Sequence, residues 1–177
     1  MKNIFQLGLW ILIITIVIFT GCTDETSSSS DKEAEQLTIE QLRKSPGYAW
    51  FDVEYNQYIP DTNVIKVIKD SLKNNQRDYL IFVNPTCACT GTQKVFPALI
   101  KVLNQCGIYE PQFKVYSMLK AENKHPYMSM MKINVLPAAF MLRNGAAACS
   151  IVDTFNTLNS TANKQTIEQC LLNGIRY

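Results

Sequence analysis

Residues 79–84, YLIFVN, run almost without a polar interruption until the closing asparagine. Five such side chains in a row cannot alternate between core and water, so a strand here has to be buried on both faces. A strand of that kind lies inside a sheet whose faces are themselves covered.

The flanking segments supply the cover. Residues 62–76 space Val64, Val67, Ile68 and Leu72 along one helical face behind an N-capping Asp61 or Thr62. Residues 92–105 form a second amphipathic helix, carrying Pro97, which is expected to kink it. Residues 48–55 read as a strand, 112–119 as another, 125–134 as a short helix, 138–145 with 146–155 as a hairpin, and 163–175 as the last helix. The expected fold class is therefore α/β, a mixed central sheet flanked by helices on both faces, in the order β-α-β-α-β-α-β-β-α.

A chain of 177 residues, 47% hydrophobic, makes one packed domain. Its formal charge of +2 comes without a Lys/Arg stripe to neutralise phosphates, so no nucleic-acid partner is expected. The first 21 residues have an early Lys2, an apolar core from Ile4 to Phe19 and small residues before Cys22, the layout of an export signal. That core is short for a membrane span, which needs ~20 residues. The tetrad FTGC resembles a lipobox, in which cleavage before Cys22 would leave that cysteine as a lipidated N-terminus. Residues 22–40 are rich in Ser and charge and read as a tether, leaving 41–177 as the folded domain. Export and a lipid anchor in the bacterial cell envelope are the expected location.

Directly after the apolar run stand Cys87 and Cys89, with only Ala88 between them, where a strand ends and a helix is expected to begin. Unpaired N–H groups and the positive end of a helix dipole favour a thiolate. A thiolate attacks disulfides, and a second thiol nearby resolves the mixed disulfide that results. The single spacer closes a small ring, which favours oxidant or isomerase behaviour.

From residue 48 onward the pattern resembles the thioredoxin superfamily, on its element order, the cysteines after a central strand, Pro97 in the following helix, and NVLPAAFMLRNG with Pro137 before a strand and a turn at Asn144 and Gly145. FVNPTCACTG is similar to the motif of bacilliredoxin-like proteins. The chain departs from thioredoxins at Thr86, where they carry Trp, at the Ala88 spacer, and in having no acidic residue in the strand before the site. The resemblance implies a thioredoxin-like fold, a cis peptide before Pro137, and a thiol–disulfide oxidoreductase in which Cys87 is the attacking thiol and Cys89 resolves. It also implies that the backbone at Leu136 and Pro137 pairs with an extended substrate, here thiols or disulfides of envelope proteins. No cofactor or resident metal is expected.

Two other readings use the same residues: a Cu(I) carrier, since paired thiolates suit that ion, and a thioredoxin fold kept only for docking. A copper site would need a further soft ligand. The one histidine, His125, reads as an exposed residue near a helix start, and most of Met118, Met128, Met130, Met131 and Met141 read as core. Cys106, Cys149 and Cys170 allow three pairings, with burial the default for Cys149 and Cys170.

Overall fold

Residues 32–160, 162 and 164–176 are described by the structure, a computed structural model. The expected signal at 1–21 and Cys22 lie outside the described residues. Among the described residues regular structure begins before the expected boundary at 41. Strand β1 (Glu35–Leu37) pairs antiparallel with β3 (Phe113–Ser117), and Thr38 then caps α1 (Ile39–Lys44). Its hydroxyl accepts from the Gln41 N–H at 3.1 Å and the Gln41 side chain accepts from the Thr38 N–H at 2.8 Å, a reciprocal capping box.

Residues 48–55 are not a strand. A 3-10 turn (Pro46–Tyr48) leads into α2 (Phe51–Gln57). Tyr48, Phe51 and Tyr55 recur at intervals of three and four, and on a helix that spacing gathers them on the side facing Phe96. Helix α3 (Thr62–Leu72) starts at Asp61, whose carboxylate accepts from the Asn63 N–H at 2.8 Å. Its buried residues are Ile65 and Ile68, while Val67 is exposed, so the apolar face is turned from the expected one.

Strand β2 (Asp78–Val83) is the middle of a five-stranded mixed sheet ordered β1-β3-β2-β4-β5. It runs parallel to β3 and antiparallel to β4 (Ala138–Arg143), with Ile81 opposite both Val115 and Ala139. From Tyr79 to Val83 every residue is buried. Between β2 and β3 the chain passes through a wide helical turn (Gly91–Val95) that continues without a break into α4 (Phe96–Gln105), so Pro97 lies inside one helical run, just after the junction of its two parts. Strand β4 turns through Asn144 (φ 52°) and Gly145 (φ 77°) into β5 (Ala146–Ser150). Positive φ at both corners matches the twist of a two-residue hairpin. The strand ends at Ser150, so that α5 (Ile151–Asn159) occupies residues expected to continue it, and α6 (Ile167–Arg176) closes the fold.

The observed order is β-α-α-α-β-α-β-β-β-α-α, not the strict alternation expected. Helices pack on one face only. All six contribute to the core that includes Tyr79, Ile81, Val83, Val115 and Met141. The opposite face, with Leu80, Phe82, Tyr116 and Phe140, packs against Met118, Met131 and Ile133 of the β3–β4 connection. Residues 125–134 therefore form turns rather than a helix, because alternate apolar residues reach down to the sheet instead of following a helical stripe. Among the described residues no helix is long and apolar enough to cross a membrane.

Candidate functional site

Strand β2 delivers the chain to Asn84, which organises the loop that follows. Its side-chain oxygen accepts from the Thr86 N–H at 2.8 Å and the Thr86 hydroxyl at 2.9 Å, while its amide donates to the Leu119 carbonyl at 2.7 Å. An asparagine that bonds two residues ahead builds a turn without help from the backbone. The Cys87 N–H then donates to the Asn84 carbonyl at 3.4 Å. Thr86 thus closes the turn through both its N–H and its hydroxyl.

Cys87 and Cys89 are joined as a disulfide, with their Cα atoms 5.2 Å apart. Both are half-buried and Ala88 between them is exposed, so the bond lies at the surface on top of the central strand. The helical turn begins at Gly91, which places Cys89 nearer to it than Cys87. The Cys89 carbonyl accepts from the Gln93 N–H at 3.0 Å, and the Thr92 hydroxyl lies 3.3 Å from the Cys89 sulfur. A disulfide sulfur carries no proton, so the hydroxyl is the donor. Thr92 is fully buried. The Thr92 hydroxyl thus contacts the Cys89 sulfur, whereas the Gln93 N–H bonds the Cys89 carbonyl and not its sulfur.

Pro137 is buried and follows a cis peptide, in the segment that leads into β4. A Cβ on Gly91 would come within 3.0 Å of the Pro137 Cδ, so this glycine lets the proline ring rest on the turn that carries the cysteines. Leu136 is half-buried beside it and packs on the second core. On the other flank a Cβ on Gly47 would meet the Pro85 Cβ at 2.8 Å, bringing the 46–50 loop against the cysteine loop. Trp50 closes that loop, donating its indole N–H to the Gly47 carbonyl at 3.1 Å and packing edge-on against Phe96. The Lys94 ammonium and Glu54 carboxylate, 2.6 Å apart, tie α2 to the wide turn. A cavity of about 400 Å³ behind it is lined by Glu54, Tyr58, Lys94, Val95, Ala98 and Phe155 rather than by the cysteines. Gly47, Trp50 and Thr92 carried no signal in sequence, because each acts through a contact that only folding creates.

Among the described residues no group of three or more His, Cys, Asp or Glu could hold a metal ion. His125 is not the exposed residue expected. Its ring sits 4.9 Å from that of Phe82, its Nδ1 accepts from the Tyr127 N–H at 3.3 Å, and burial pushes its pKa down. The one buried carboxylate among the described residues, Glu168, is taken up by the Tyr58 hydroxyl at 2.5 Å and the Asp61 N–H at 2.9 Å. Cys106, Cys149 and Cys170 are free thiols. Burial pushes Cys106 up to about 12 and Cys170 up to about 11, and raises Cys149 as well, so each holds its proton more firmly than a free thiol.

Compared with protein-family models, curated proteins and solved structures, the chain matches none.

Proposed function

We propose that this chain is a thiol–disulfide oxidoreductase of thioredoxin-like type, anchored to the bacterial cell envelope through a lipidated Cys22 and acting on the disulfides of envelope proteins through Cys87 and Cys89. The observation that carries the reading is the half-buried Cys87–Cys89 disulfide on the loop that leaves the central strand, followed by a helical turn whose Gly91 lies against Pro137. A bond placed there can be reached by another protein while its backbone stays anchored to the sheet.

In the reducing direction the Cys87 thiolate attacks a substrate disulfide, forms a mixed disulfide and expels one substrate thiol. Cys89, whose sulfur has the Thr92 hydroxyl as a donor, then attacks the Cys87 sulfur, and the second substrate thiol leaves. The substrate gains two electrons and two protons, and the enzyme ends as the observed disulfide. The backbone at Leu136 and Pro137 is the proposed rest for an extended substrate segment.

Replacing Cys89 by Ser should trap mixed disulfides through Cys87, visible as reducible adducts on non-reducing gels. Cys87→Ser should abolish both trapping and the reduction of a model protein disulfide. A Cys89→Ser chain that captures nothing, with no turnover by the unaltered chain, would return the reading to a docking module. One Cu(I) bound per chain and lost in Cys87→Ser would return it to a copper carrier.

A further inference from the structure

Away from that site two of the free thiols share one pocket of the core. Cys149 lies opposite Met141 across the β4–β5 ladder, and Met141 is fully buried on the helix-covered face. Directly paired residues project to the same side of a sheet, so Cys149 faces the helices. A bulge supports this aim: Cys149 pairs with Met141 but Ala147 with Leu142, so that Ala148 is the extra residue. Such an insertion re-points the side chains on either side of it.

What Cys149 faces is α6. A Cβ on Gly174 would meet the Cys149 Sγ at 3.0 Å and its Cβ at 3.3 Å, so the thiol occupies the space that this glycine leaves open. Cys170 stands four residues earlier on the same helix face, where Cβ positions are about 5–6 Å apart. Both cysteines belong to the same packed core, Cys170 wholly buried and Cys149 half-buried at the sheet edge. Cys106 is elsewhere. It ends α4 and interacts with Tyr79 on β2, two strand positions from β5 and thus about 10 Å away across the sheet.

We propose that Cys149 and Cys170 are a second oxidisable thiol pair, whose closure to a disulfide staples α6 to the edge of the sheet. A disulfide needs Cβ atoms about 4 Å apart. The movement required is less than one helical turn, roughly 5.4 Å, along a short edge strand that has a single neighbour and three exposed alanines, Ala146 to Ala148. The oxidant is a small-molecule disulfide. The Cys149 thiolate, on the accessible side, attacks it and releases one small thiol. Cys170 then gives up its proton and attacks the Cys149 sulfur, and the second small thiol departs. The pair loses two electrons and two protons, and the small disulfide becomes two thiols.

The test uses the full chain equilibrated at pH 8 with oxidised and reduced glutathione, blocked with maleimide, digested and read by mass spectrometry. A Cys149–Cys170 linked peptide is expected, with two maleimide adducts lost and Cys106 still blocked. The link should vanish in Cys149→Ser and persist in the chain carrying Cys87→Ser and Cys89→Ser together, which separates this pair from the proposed catalytic one. Linkage through Cys106, a glutathione adduct at Cys149 that never resolves, Cys149 and Cys170 both blocked at every ratio, or loss of the link in the double variant would each overturn the proposal.

Discussion

Thr92 shows how one hydroxyl can set the chemistry of a neighbour. Its Oγ1 is 3.3 Å from the Cys89 sulfur and shut away from solvent. A hydrogen bond to a charged group contributes ~1.5–3 kcal/mol, or about one to two pKa units. Thr92→Val should therefore move the pH dependence of Cys89 alkylation to higher pH, read in a Cys87→Ser background. An unchanged titration would mean that the hydroxyl contacts the sulfur without serving the thiolate. His125 sets a pH limit of a different kind. Burial against Phe82 lowers its folded-state pKa, so between that value and the ordinary ~6.5 the unfolded chain binds more protons than the folded one. Stability should fall as pH drops below ~6.5. In His125→Asn, which keeps an acceptor for the Tyr127 N–H, the urea midpoint should be lower at pH 7.5 and the loss between pH 7 and 5 smaller than in the unaltered chain.

At the scale of elements, the contact between the Gly91 turn and Pro137 joins the cysteine loop to the start of β4. A proline ring has no rotamer with which to yield, so Gly91→Ala must separate the two segments or strain them. Overpacking of this kind costs about 1–3 kcal/mol, measurable as a lower urea midpoint, and reduction of a model protein disulfide should fall with it. Gly174→Ala is the comparison. There the intruding Cβ meets mainly the ends of side chains, Met141 Cε and Cys149 Sγ, in place of a closed ring. It should leave disulfide reduction unchanged, and equal losses in both variants would show that Pro137 has no special relation to the cysteines.

For the whole molecule, the one-sided arrangement of helices leaves the second sheet face to the β3–β4 connection, from Met118 through Ile133 to Pro137. The same segment that covers this face thus also ends at the cysteine loop. Anchoring is the remaining question at this scale. Mass spectrometry of membrane-extracted protein should find a diacylglycerol-modified N-terminus at Cys22, with residues 1–21 removed. An intact 1–21 segment would defeat the lipoprotein reading.

Some of this was written locally. The run from Tyr79 to Val83 identified the central strand because its apolar side chains must be buried on both faces, whatever surrounds them. Asp61 marked a helix start, and Asn144 with Gly145 marked a turn, because capping and positive φ depend on neighbours along the chain. The closeness of Cys87 and Cys89 was legible for the same reason. Other features had no local signal. Glu35–Leu37 looks like tether and becomes a strand because β3 offers it partners. Residues 48–55 satisfy both a strand and a helix pattern, and only the Phe96 side of the core selects the helix. The meetings of Thr92 with Cys89, Pro137 with Gly91 and Cys149 with Gly174 bring together positions whose proximity depends on helical rise, strand register and which face a helix turns inward. Periodicity specifies which residues are buried; only the packed structure decides against what.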